Sequence, residues 1–356
     1  MEKRIIGIDV GGTKVAGGLL TMKGRLTKAL VLPTRAKEGF EVSFGQVRRV
    51  IQKLIRLGGG EKAIAGIGLC APGPLHPETG LVLNAPNLPG WSNVRLVEQV
   101  ERDFGLPARV ENDANAAGLA EVLFGAAAGF QHVFYVTVST GIGTGIIIGR
   151  KVYHGKNGVA GEGGHMSIDF HSHYRCGCGA LGCIEALAAG PGMCRRARVR
   201  LEQEFTTPSL LRKLTRGRLG LITPQMIADA ATKGDAVAKS IIEETGFYLG
   251  VWLGGMITLL DPEAIVLGGG VSRIGKPLFD KIHETILQYT LNPDLAKKTP
   301  LLPAKLEQNV GVYGAASLFM PVGEAAEGGA ARYDGISASA ARQPNADIGW
   351  LAAPPW

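Results

Sequence analysis

Residues 4–20 have the sequence RIIGIDVGGTKVAGGLL, in which two apolar runs flank a short turn rich in glycine. Strand-forming runs joined in this way predict a β-hairpin. The turn lets backbone N–H groups and the Thr13 hydroxyl approach a phosphate, with Lys14 as a countercharge. Asp9 stands just before the turn, where a carboxylate can hold Mg²⁺ directly or through water. Taken alone, a plain tight turn would explain these residues nearly as well.

The same arrangement recurs in the second half of the chain. A strand predicted over 133–138 runs into STGIGTG at residues 139–145, and apolar residues 146–148 follow. Two hydroxyl-rich glycine hairpins predict two similar α/β halves that face each other and grip a phosphate chain between them. Each turn connects two strands and neither opens a helix, which excludes a Walker loop and a GxGxxG motif. A third glycine turn, at 268–270, follows a predicted strand over 264–267 and suits close approach of a nucleotide base or ribose.

Three thiols and one imidazole fall within nineteen positions, at His165, Cys176, Cys178 and Cys183. Zinc takes thiolate and imidazole ligands in tetrahedral sets of four, so these residues predict a structural zinc site with no open position for a reactive water. Disulfides are the alternative, but five cysteines are an odd number and the N-terminus lacks a secretory pattern. A reducing compartment and metal binding are therefore favoured. We expect the remaining cysteines, Cys70 and Cys194, to be ordinary buried thiols.

Two carboxylates flank the predicted zinc ligands. Glu162 lies three residues before His165, and Glu185 lies two residues after Cys183. Folding of this segment around one ion brings both carboxylates toward the same place. Because carboxylates accept hydrogen bonds from hydroxyl groups, we expect this place to suit a polyhydroxylated ligand.

The segment after a strand predicted over 108–111 has two interpretations. It reads Glu111-Asn112-Asp113, and the alanine-rich continuation to Phe124 predicts a helix. Asn112 or Asp113 could simply cap that helix, which accounts for the residue types. A carboxylate at the end of a strand is equally well placed to take a proton from a substrate hydroxyl.

The composition is that of a soluble globular protein with two domains. Of its 356 residues, 46% are apolar and 19% are charged, which is enough for a large core. The net charge of +7 favours anionic ligands, but Lys and Arg are scattered along the chain, as on solvated helix faces. Residues 246–260 are too few to span a bilayer and predict a buried helix. We therefore expect a cytoplasmic protein with neither a nucleic acid nor a membrane as partner.

Local patterns predict the remaining elements. Helices are predicted over residues 40–57, 96–104, 191–205, 223–233, 235–260, 277–289 and 312–320, and further strands over 63–69 and 81–83. Clusters of Pro, Gly and Asn at 71–74 and 84–91 predict loops, where binding residues concentrate. From Gly323 the composition shifts to Ala, Gly, Ser and Pro, which predicts a disordered tail.

With four motifs, at residues 9–14, 111–113, 162–165 and 176–183, the chain resembles the ROK family of bacterial sugar kinases and repressors, most closely its glucokinases. The resemblance covers residues 4 to about 320. It implies an α/β, two-domain, actin-like ATPase fold of the hexokinase and ribonuclease H type, with the active-site cleft between the domains. The implied division is a small N-terminal domain over 1–118, completed by a C-terminal helix at about 312–322, a large domain over 119–311 that carries the zinc site, and a tail over 323–356.

The resemblance also implies an activity, the ATP-dependent phosphorylation of a hexose. Glucose is the first candidate, and N-acetylglucosamine, N-acetylmannosamine, mannose and fructose are the alternatives. Asp113 is implied to be the general base. The family usually has a Ser soon after the Glu of the zinc segment, where this chain has Ala188-Ala189. This difference leaves the choice among hexoses open.

Ligand residues follow from the same resemblance. The hexose is implied to contact Gly73, Asn87, Asn112, Asp113, Glu162, His165 and Glu185. ATP, with Mg²⁺, is implied to contact Asp9, Gly11, Gly12, Thr13, Lys14, Thr140, Gly141, Gly143, Thr144, Gly268, Gly269 and Gly270. Structural Zn²⁺ is implied at His165, Cys176, Cys178 and Cys183. We also expect a homodimer or a larger homo-oligomer.

Two rival functions are weighed against the kinase. A sugar-sensing repressor of the same family would need a helix-turn-helix domain before the first hairpin. The first predicted strand begins at Arg4, so we expect no such domain. A zinc hydrolase is disfavoured because four protein ligands would close the metal to substrate.

Overall fold

The computed structural model describes residues 2–85, 87–204 and 206–320. Within these ranges the strands are β1 (Arg4–Val10), β2 (Lys14–Thr21), β3 (Leu26–Pro33), β4 (Ile64–Ala71), β5 (Leu75–His76), β6 (Leu81–Asn84), β7 (Ser92–Arg95), β8 (Ala108–Asn112), β9 (Val133–Val138), β10 (Ile142–Ile148), β11 (Lys151–Val152), β12 (Ala264–Gly268) and β13 (Leu301–Pro303). The α-helices there are α1 (Phe40–Leu57), α2 (Leu96–Phe104), α3 (Asp113–Phe124), α4 (Ile184–Ala188), α5 (Gly190–Gln203), α6 (Leu210–Leu214), α7 (Pro224–Thr232), α8 (Ala236–Leu260), α9 (Lys276–Gln288), α10 (Pro293–Ala296) and α11 (Val310–Ser317). The predicted tail at 323–356 lies outside the described residues.

Two five-stranded sheets share one strand order. The first is β3-β2-β1-β4-β8, and the second is β11-β10-β9-β12-β13. Each contains three antiparallel strands, β1-β2-β3 or β9-β10-β11. Two more strands, β4 and β8 or β12 and β13, continue the sheet from β1 or β9 in parallel. Parallel neighbouring strands need a crossover connection. Helix α1 lies in the connection that leads from β3 back to β4, the parallel neighbour of β1. The repeated order confirms the prediction of two similar α/β halves.

Helix α11 packs directly onto the first sheet because two strands carry glycine beneath it. A Cβ added at Gly7 in β1 would lie 2.2 Å from the carbonyl oxygen of Val312. One added at Gly68 in β4 would lie 1.7 Å from the carbonyl oxygen of Ala315. Both distances are far below van der Waals contact, so any larger residue would push the helix away from the sheet.

Helix α3 connects the two sheets. It packs against β9 and β10 of the second sheet, against β4 and β8 of the first, and along α11. Its fully buried Glu121 accepts hydrogen bonds from the backbone N–H groups of Ala126, Lys305 and Leu306. These donors replace the water that the carboxylate loses on burial. The helix that begins at Asp113 is thereby tied to the segment between β13 and α11.

Helix α8 is the centre of the helical layer in the second half. It packs against α4, α5, α7 and α9. A Cβ added at Gly250 would lie 2.4 Å from the Cβ of Thr285 in α9, so its glycines let the two helices approach closely. The predicted buried helix at 246–260 is confirmed. No helix in the described part of the chain has the length and apolar character that crossing a membrane requires.

The elements without a sequence prediction are short or irregular in pattern. Strand β3 lies at the edge of the first sheet and has no buried position, so its residues show no clean alternation. Strands β5, β7, β11 and β13 have four residues or fewer. Helix α11 begins two residues before the predicted start at 312 and ends at Ser317, before the predicted 320. The domain boundaries at 118 and 311 stay a prediction.

Candidate active site

The first turn of α3 separates the two interpretations of residues 112 and 113. The Asn112 side-chain oxygen accepts hydrogen bonds from the backbone N–H groups of Ala114, at 2.9 Å, and of Asn115, at 3.3 Å. Asn112 is therefore the N-cap. Asp113 is the first helical residue, and one of its oxygens accepts the N–H of Ala114 at 2.8 Å. The capping role belongs to Asn112 and leaves the Asp113 carboxylate available for chemistry.

The Asp113 carboxylate has a raised pKa. Asp113 is exposed in the structure, but nearby protein atoms displace part of the water around its carboxylate. This loss of surrounding water is the largest cause of the shift, and the carboxylates of Asp9 and Glu162 add to it, so the pKa rises to about 6. At neutral pH the group is mostly ionised and still binds a proton readily. Both properties suit a general base.

Asp9 is the penultimate residue of β1, just before the turn of the first hairpin. Burial raises its pKa, while a hydrogen bond from Cys70 and the charge of Lys14 lower it. The Cys70 sulfur lies 3.5 Å from Asp9 Oδ1, and the two residues are neighbours in register on β1 and β4. Burial disfavours the ionised carboxylate of Asp9, and a cation beside it would favour that form. Its oxygens are ligands that fit Mg²⁺.

Three of the predicted hexose-binding residues meet at one place. A Cβ added at Gly73 would lie 2.9 Å from Asn112 Nδ2 and 3.8 Å from Glu162 Oε1. Asn112 and Glu162 also line one small cavity, together with Pro74, Leu75, Pro77, Asn115, Thr144, Gly158, Val159, Ala160 and Gly161. Segments 73–77, 112–115 and 158–162, which are far apart in the sequence, thus form one concave surface.

The His165, Cys176, Cys178 and Cys183 side chains form a cluster that fits a tetrahedral metal. Their four ligand atoms all lie within 4.8 Å of one another, and the cysteines are free of disulfides. The Cys178 and Cys183 sulfurs are 3.7 Å apart, and the Cys176 sulfur is 3.4 Å from His165 Nδ1. Sulfurs bound to one zinc at 2.3 Å in tetrahedral geometry are separated by about 3.8 Å. The spacing matches a closed zinc site.

His165 stands between the two carboxylates that flank the cluster. Its Nδ1 faces Cys176 and is 4.0 Å from Glu185 Oε1, while its Nε2 is 3.9 Å from Glu162 Oε2. One ring can therefore bind a metal through Nδ1 and present Nε2 to a ligand beside Glu162. Glu185 Oε2 accepts the backbone N–H of Ile142 at 2.9 Å, so this carboxylate also reaches the second hairpin.

The second hairpin and the third glycine turn lie side by side. A Cβ added at Gly269, whose φ is +89°, would lie 2.3 Å from the carbonyl oxygen of Val138. Only glycine combines this backbone conformation with so close an approach. A Cβ on Gly141 would lie 2.5 Å from Glu185 Oε2. Thr140 is exposed at the hairpin tip and Gly143 lies behind it, against Ala114.

Thr144 differs from the other predicted nucleotide contacts. Its hydroxyl is buried, donates a hydrogen bond to the carbonyl oxygen of Gly161 and accepts one from the N–H of Gly163. The side chain therefore holds the segment that carries Glu162, and its only donor hydrogen is already used.

A cavity of about 360 Å³ opens next to the third glycine turn, within the size range of small-molecule sites. It is lined by Tyr135, Thr137, Gly268, Gly269, Gly270, Ser272, Arg273, Pro303, Ala304, Glu307, Gln308 and Val310. A second cavity, of about 620 Å³, lies among α7, α8 and α9 and shares Arg273 with the first. Although it is larger, it contains none of the predicted site residues.

The tip of the first hairpin touches a predicted hexose-binding residue. A Cβ added at Gly12 would lie 2.8 Å from the carbonyl oxygen of Asn87. Asn87 is exposed there and is not among the residues that line the cavity with Asn112 and Glu162. At the same hairpin, Gly11 N–H donates to the carbonyl oxygen of Lys14 at 3.0 Å, and the Thr13 and Lys14 side chains are exposed.

Sequence reasoning missed some residues that support the site. Glu111 and His154 form a hydrogen bond across 43 positions of the chain, and Glu121 holds the segment after β13. Local periodicity carries no signal for such pairs, because each partner lies on a different element. The available sign was that Glu111, a charged residue, follows the apolar Val110 near the end of a predicted strand.

Comparison with known proteins gives a consistent assignment. The model of the ROK family matches residues 5–321. The glucokinase of Halalkalibacterium halodurans is 33% identical over 316 residues, which cover 88% of this chain and 94% of that protein. The crystal structure of a ROK family glucokinase from Streptomyces griseus, in complex with glucose and AMPPNP, superposes with a TM-score of 0.74 at 34% identity. That match covers 88% of this chain and 98% of the other.

Relatives of another kind are also similar. A putative xylose repressor from a Caldicellulosiruptor species is 31% identical over 287 residues, which cover 79% of this chain and 69% of the repressor. The predicted α/β, two-domain, actin-like ATPase fold is confirmed by these matches and by the two sheets of equal strand order. With nearly its whole described length matched by the family model, the chain belongs to the ROK family.

Proposed function

We propose that this protein is an ATP-dependent hexose kinase with glucose as its first candidate substrate. The observation that carries the proposal is the state of Asp113. Asn112, and not Asp113, caps the helix. The pKa of Asp113 is raised to about 6, and the charges of Asp9, on the nucleotide side, and Glu162, on the sugar side, both act on its carboxylate. A carboxylate in this position accepts the proton of a hexose hydroxyl as that oxygen attacks a phosphoryl group.

The hexose binds where segments from both sheets meet. Asn112 and Glu162 supply an amide and a carboxylate to its hydroxyl groups, and Gly73 leaves room for it. His165 presents Nε2, Glu185 adds a second carboxylate, and Asn87, in the loop beside the tip of the first hairpin, closes the site. Asp113 lies next to Asn112 and takes the proton from the hydroxyl that is phosphorylated.

ATP binds against the glycine turns. Its phosphates are held by backbone N–H groups of the two hairpins, by the Thr13 and Thr140 hydroxyls and by Lys14, and its nucleoside lies in the cavity beside Gly268, Gly269 and Gly270. Asp9 holds Mg²⁺, which neutralises charge on the phosphates when bound. Thr144 acts as a brace for the sugar segment. Phosphoryl transfer requires mainly such positioning and charge stabilisation.

Zinc has a structural role in this proposal. The ion holds His165 and the three cysteines together and thereby fixes Glu162 and Glu185 on either side of the imidazole ring. Four protein ligands leave it no position for substrate or water. The small domain over 1–118, the large domain over 119–311 and a homo-oligomeric state belong to the same proposal.

Similarity to glucokinases supports glucose, and a kinase assay tests it. Production of ADP is measured in a coupled assay with ATP, Mg²⁺ and each of glucose, mannose, fructose, N-acetylglucosamine and N-acetylmannosamine. We expect the highest kcat/KM for glucose. A different preferred hexose would correct the substrate, and no phosphorylation of any of them would refute the kinase.

A repressor is the second candidate, because xylose repressors are among the similar proteins. The same preparation is titrated with DNA from its own operon region, with and without xylose. We expect no xylose-sensitive binding to DNA. Such binding together with absent kinase activity would favour the repressor.

A further inference from the structure

Glu111 and His154 form a short hydrogen bond that joins the two halves of the proposed sugar site. Glu111 Oε2 lies 2.6 Å from His154 Nε2. Glu111 is the penultimate residue of β8 in the first sheet and is 3% exposed, whereas His154 follows β11 of the second sheet and its side chain is 33% exposed. The contact therefore links elements that no strand pairing connects.

On one side of this bond, Glu111 holds the start of α3. Its Oε1 accepts the backbone N–H of Asn112 at 2.8 Å and the side-chain amide of Asn115 at 3.1 Å. Both carboxylate oxygens of Glu111 thus have hydrogen-bond partners in or beside the proposed site, namely Asn112, Asn115 and His154. A shift of Glu111 would move the backbone that carries Asn112 and Asp113.

On the other side, His154 begins the segment that leads to Glu162. Its carbonyl oxygen accepts the N–H of Ala160 at 3.0 Å, which closes residues 154–160 into a compact loop. A Cβ added at Gly161 would lie 3.2 Å from Asn115 Oδ1, so this loop also rests on the first turn of α3. The position of Glu162 relative to Asp113 therefore depends on the imidazole.

The charges around His154 favour its protonated form. The hydrogen bond to Glu111 is the largest cause of its raised pKa, the charges of Glu111 and Glu78 add to it, and burial opposes it. Glu111 has no Lys or Arg partner among the ion pairs of the described residues. A buried carboxylate without a cation is unfavourable, so loss of the imidazolium would weaken the whole connection.

We propose that His154, acting through Glu111, is a positioning residue that holds Asp113 and Glu162 at the separation needed for hexose binding. This inference rests on the proposed hexose kinase function. His154 touches neither substrate in the proposal. It acts by fixing two segments that do, so its loss should affect the hexose and spare ATP.

Steady-state kinetics of His154→Gln and Glu111→Gln test the inference, with the exposed His283→Gln of α9 as the matched control. Loss of a charge-assisted hydrogen bond of this kind should raise the KM for hexose about tenfold while the KM for ATP stays within about twofold. His154→Arg, which keeps the cation, should recover part of the loss. Equal changes in both KM values, or no change in that for hexose, would overturn the proposal.

The pH profile gives a readout that simple loss of stability would not. A raised histidine pKa means that the imidazolium is present at low pH and is lost as the pH rises through the raised value. In the wild type and in His283→Gln, kcat/KM for hexose should fall on the alkaline side as His154 loses its proton. In His154→Gln that decline should be absent, and its persistence would contradict the role assigned to His154.

Hydrogen exchange separates this inference from the proposed function. If the wild type phosphorylates no hexose, the kinase proposal fails, but the connection can still be measured in the free protein. Amides in 111–115 and in 154–162 should then exchange faster together in His154→Gln and in Glu111→Gln, and not in His283→Gln. Unchanged exchange in either segment would overturn the inference. If both variants failed to fold, NMR titration of the His154 ring in the wild type would test the connection instead, and a His154 pKa that is not raised would overturn it.

Discussion

Asp113→Asn should abolish most turnover and at the same time stabilise the protein. The substitution keeps the size of the side chain and leaves the helix cap intact, because Asn112 supplies it. The amide cannot accept the hydroxyl proton, and general-base catalysis contributes about 10² to 10⁴ in rate. We expect kcat to fall by a factor in that range while the hexose still binds, since the amide retains hydrogen-bonding capacity.

The gain in stability follows from the raised pKa of Asp113. Folding favours the neutral acid, so the stabilisation is full below the ordinary pKa of 3.8 and is lost as the pH rises through about 6. The whole shift corresponds to about 3 kcal/mol, and solvent screening at this open site reduces it to about 1 kcal/mol. At pH 8 the Asn variant should therefore unfold with a free energy about 1 kcal/mol higher than the wild type, and near pH 4 the two should agree.

Urea unfolding at both pH values, with kcat and hexose affinity measured on the same samples, checks this prediction. Asn112→Ala is the contrasting variant, because it removes the cap and should lower the free energy of unfolding by about 1 kcal/mol at either pH. A folded Asp113→Asn variant that retains more than about a tenth of the wild-type turnover would exclude Asp113 as the base. A stability difference that does not change with pH would refute the electrostatic argument.

Three further predictions concern the metal, the nucleotide and the frame of the site. Elemental analysis should find about one zinc per chain, and Cys183→Ser should lose the metal and raise the KM for hexose; active, unchelated enzyme without zinc would contradict this. Gly270→Val should raise the KM for ATP about tenfold and leave that for hexose unchanged, because its Cβ meets only Ser139 Oγ, at 3.9 Å, and the larger side chain fills space proposed for the nucleotide. Gly12→Val should raise both KM values because its side chain collides with Asn87. Gly255→Val, in open space on α8, is the control for the steady-state kinetics. Glu121→Gln should lower the free energy of unfolding by about 3 kcal/mol in urea, because the amide nitrogen would replace one of the two carboxylate oxygens and face a backbone N–H group that now donates to it. A loss no larger than that of the exposed Glu284→Gln would show that Glu121 is dispensable.

The helical and strand content was largely readable from the chain. The apolar pattern of residues 40–57 and the glycine-interrupted run at 246–260 both correspond to helices in the structure. The hairpin after Asp9 and the one after Val138 were visible because strand runs and turn residues are local in sequence. Strand β3 was not, since an edge strand without buried positions has no alternation to read.

The site residues divide in the same way. The residue types and spacing at 165, 176, 178 and 183 predict a zinc site directly, because one His and three Cys so close in sequence are typical of zinc ligands. The division of labour between Asn112 and Asp113 was open from sequence, as either side chain can cap a helix. The backbone geometry of the first turn decided it. The inward orientation of Thr144 was likewise invisible, because its partners lie in the segment 161–163.

The sequence by itself determined the local elements, the glycine turns and the set of side chains from which a kinase site and a zinc site can be built. These properties depend on residue type and on spacings of a few positions, which the chain displays directly. Only the tertiary structure decided which of these groups meet. The pairing of Glu111 with His154, the hydrogen bonds from residues 305–306 to Glu121 and the raised pKa of Asp113 all arise from groups brought together or buried across long stretches of chain. Coulombic and desolvation effects depend on distance and burial in space, and neither is set by separation in sequence.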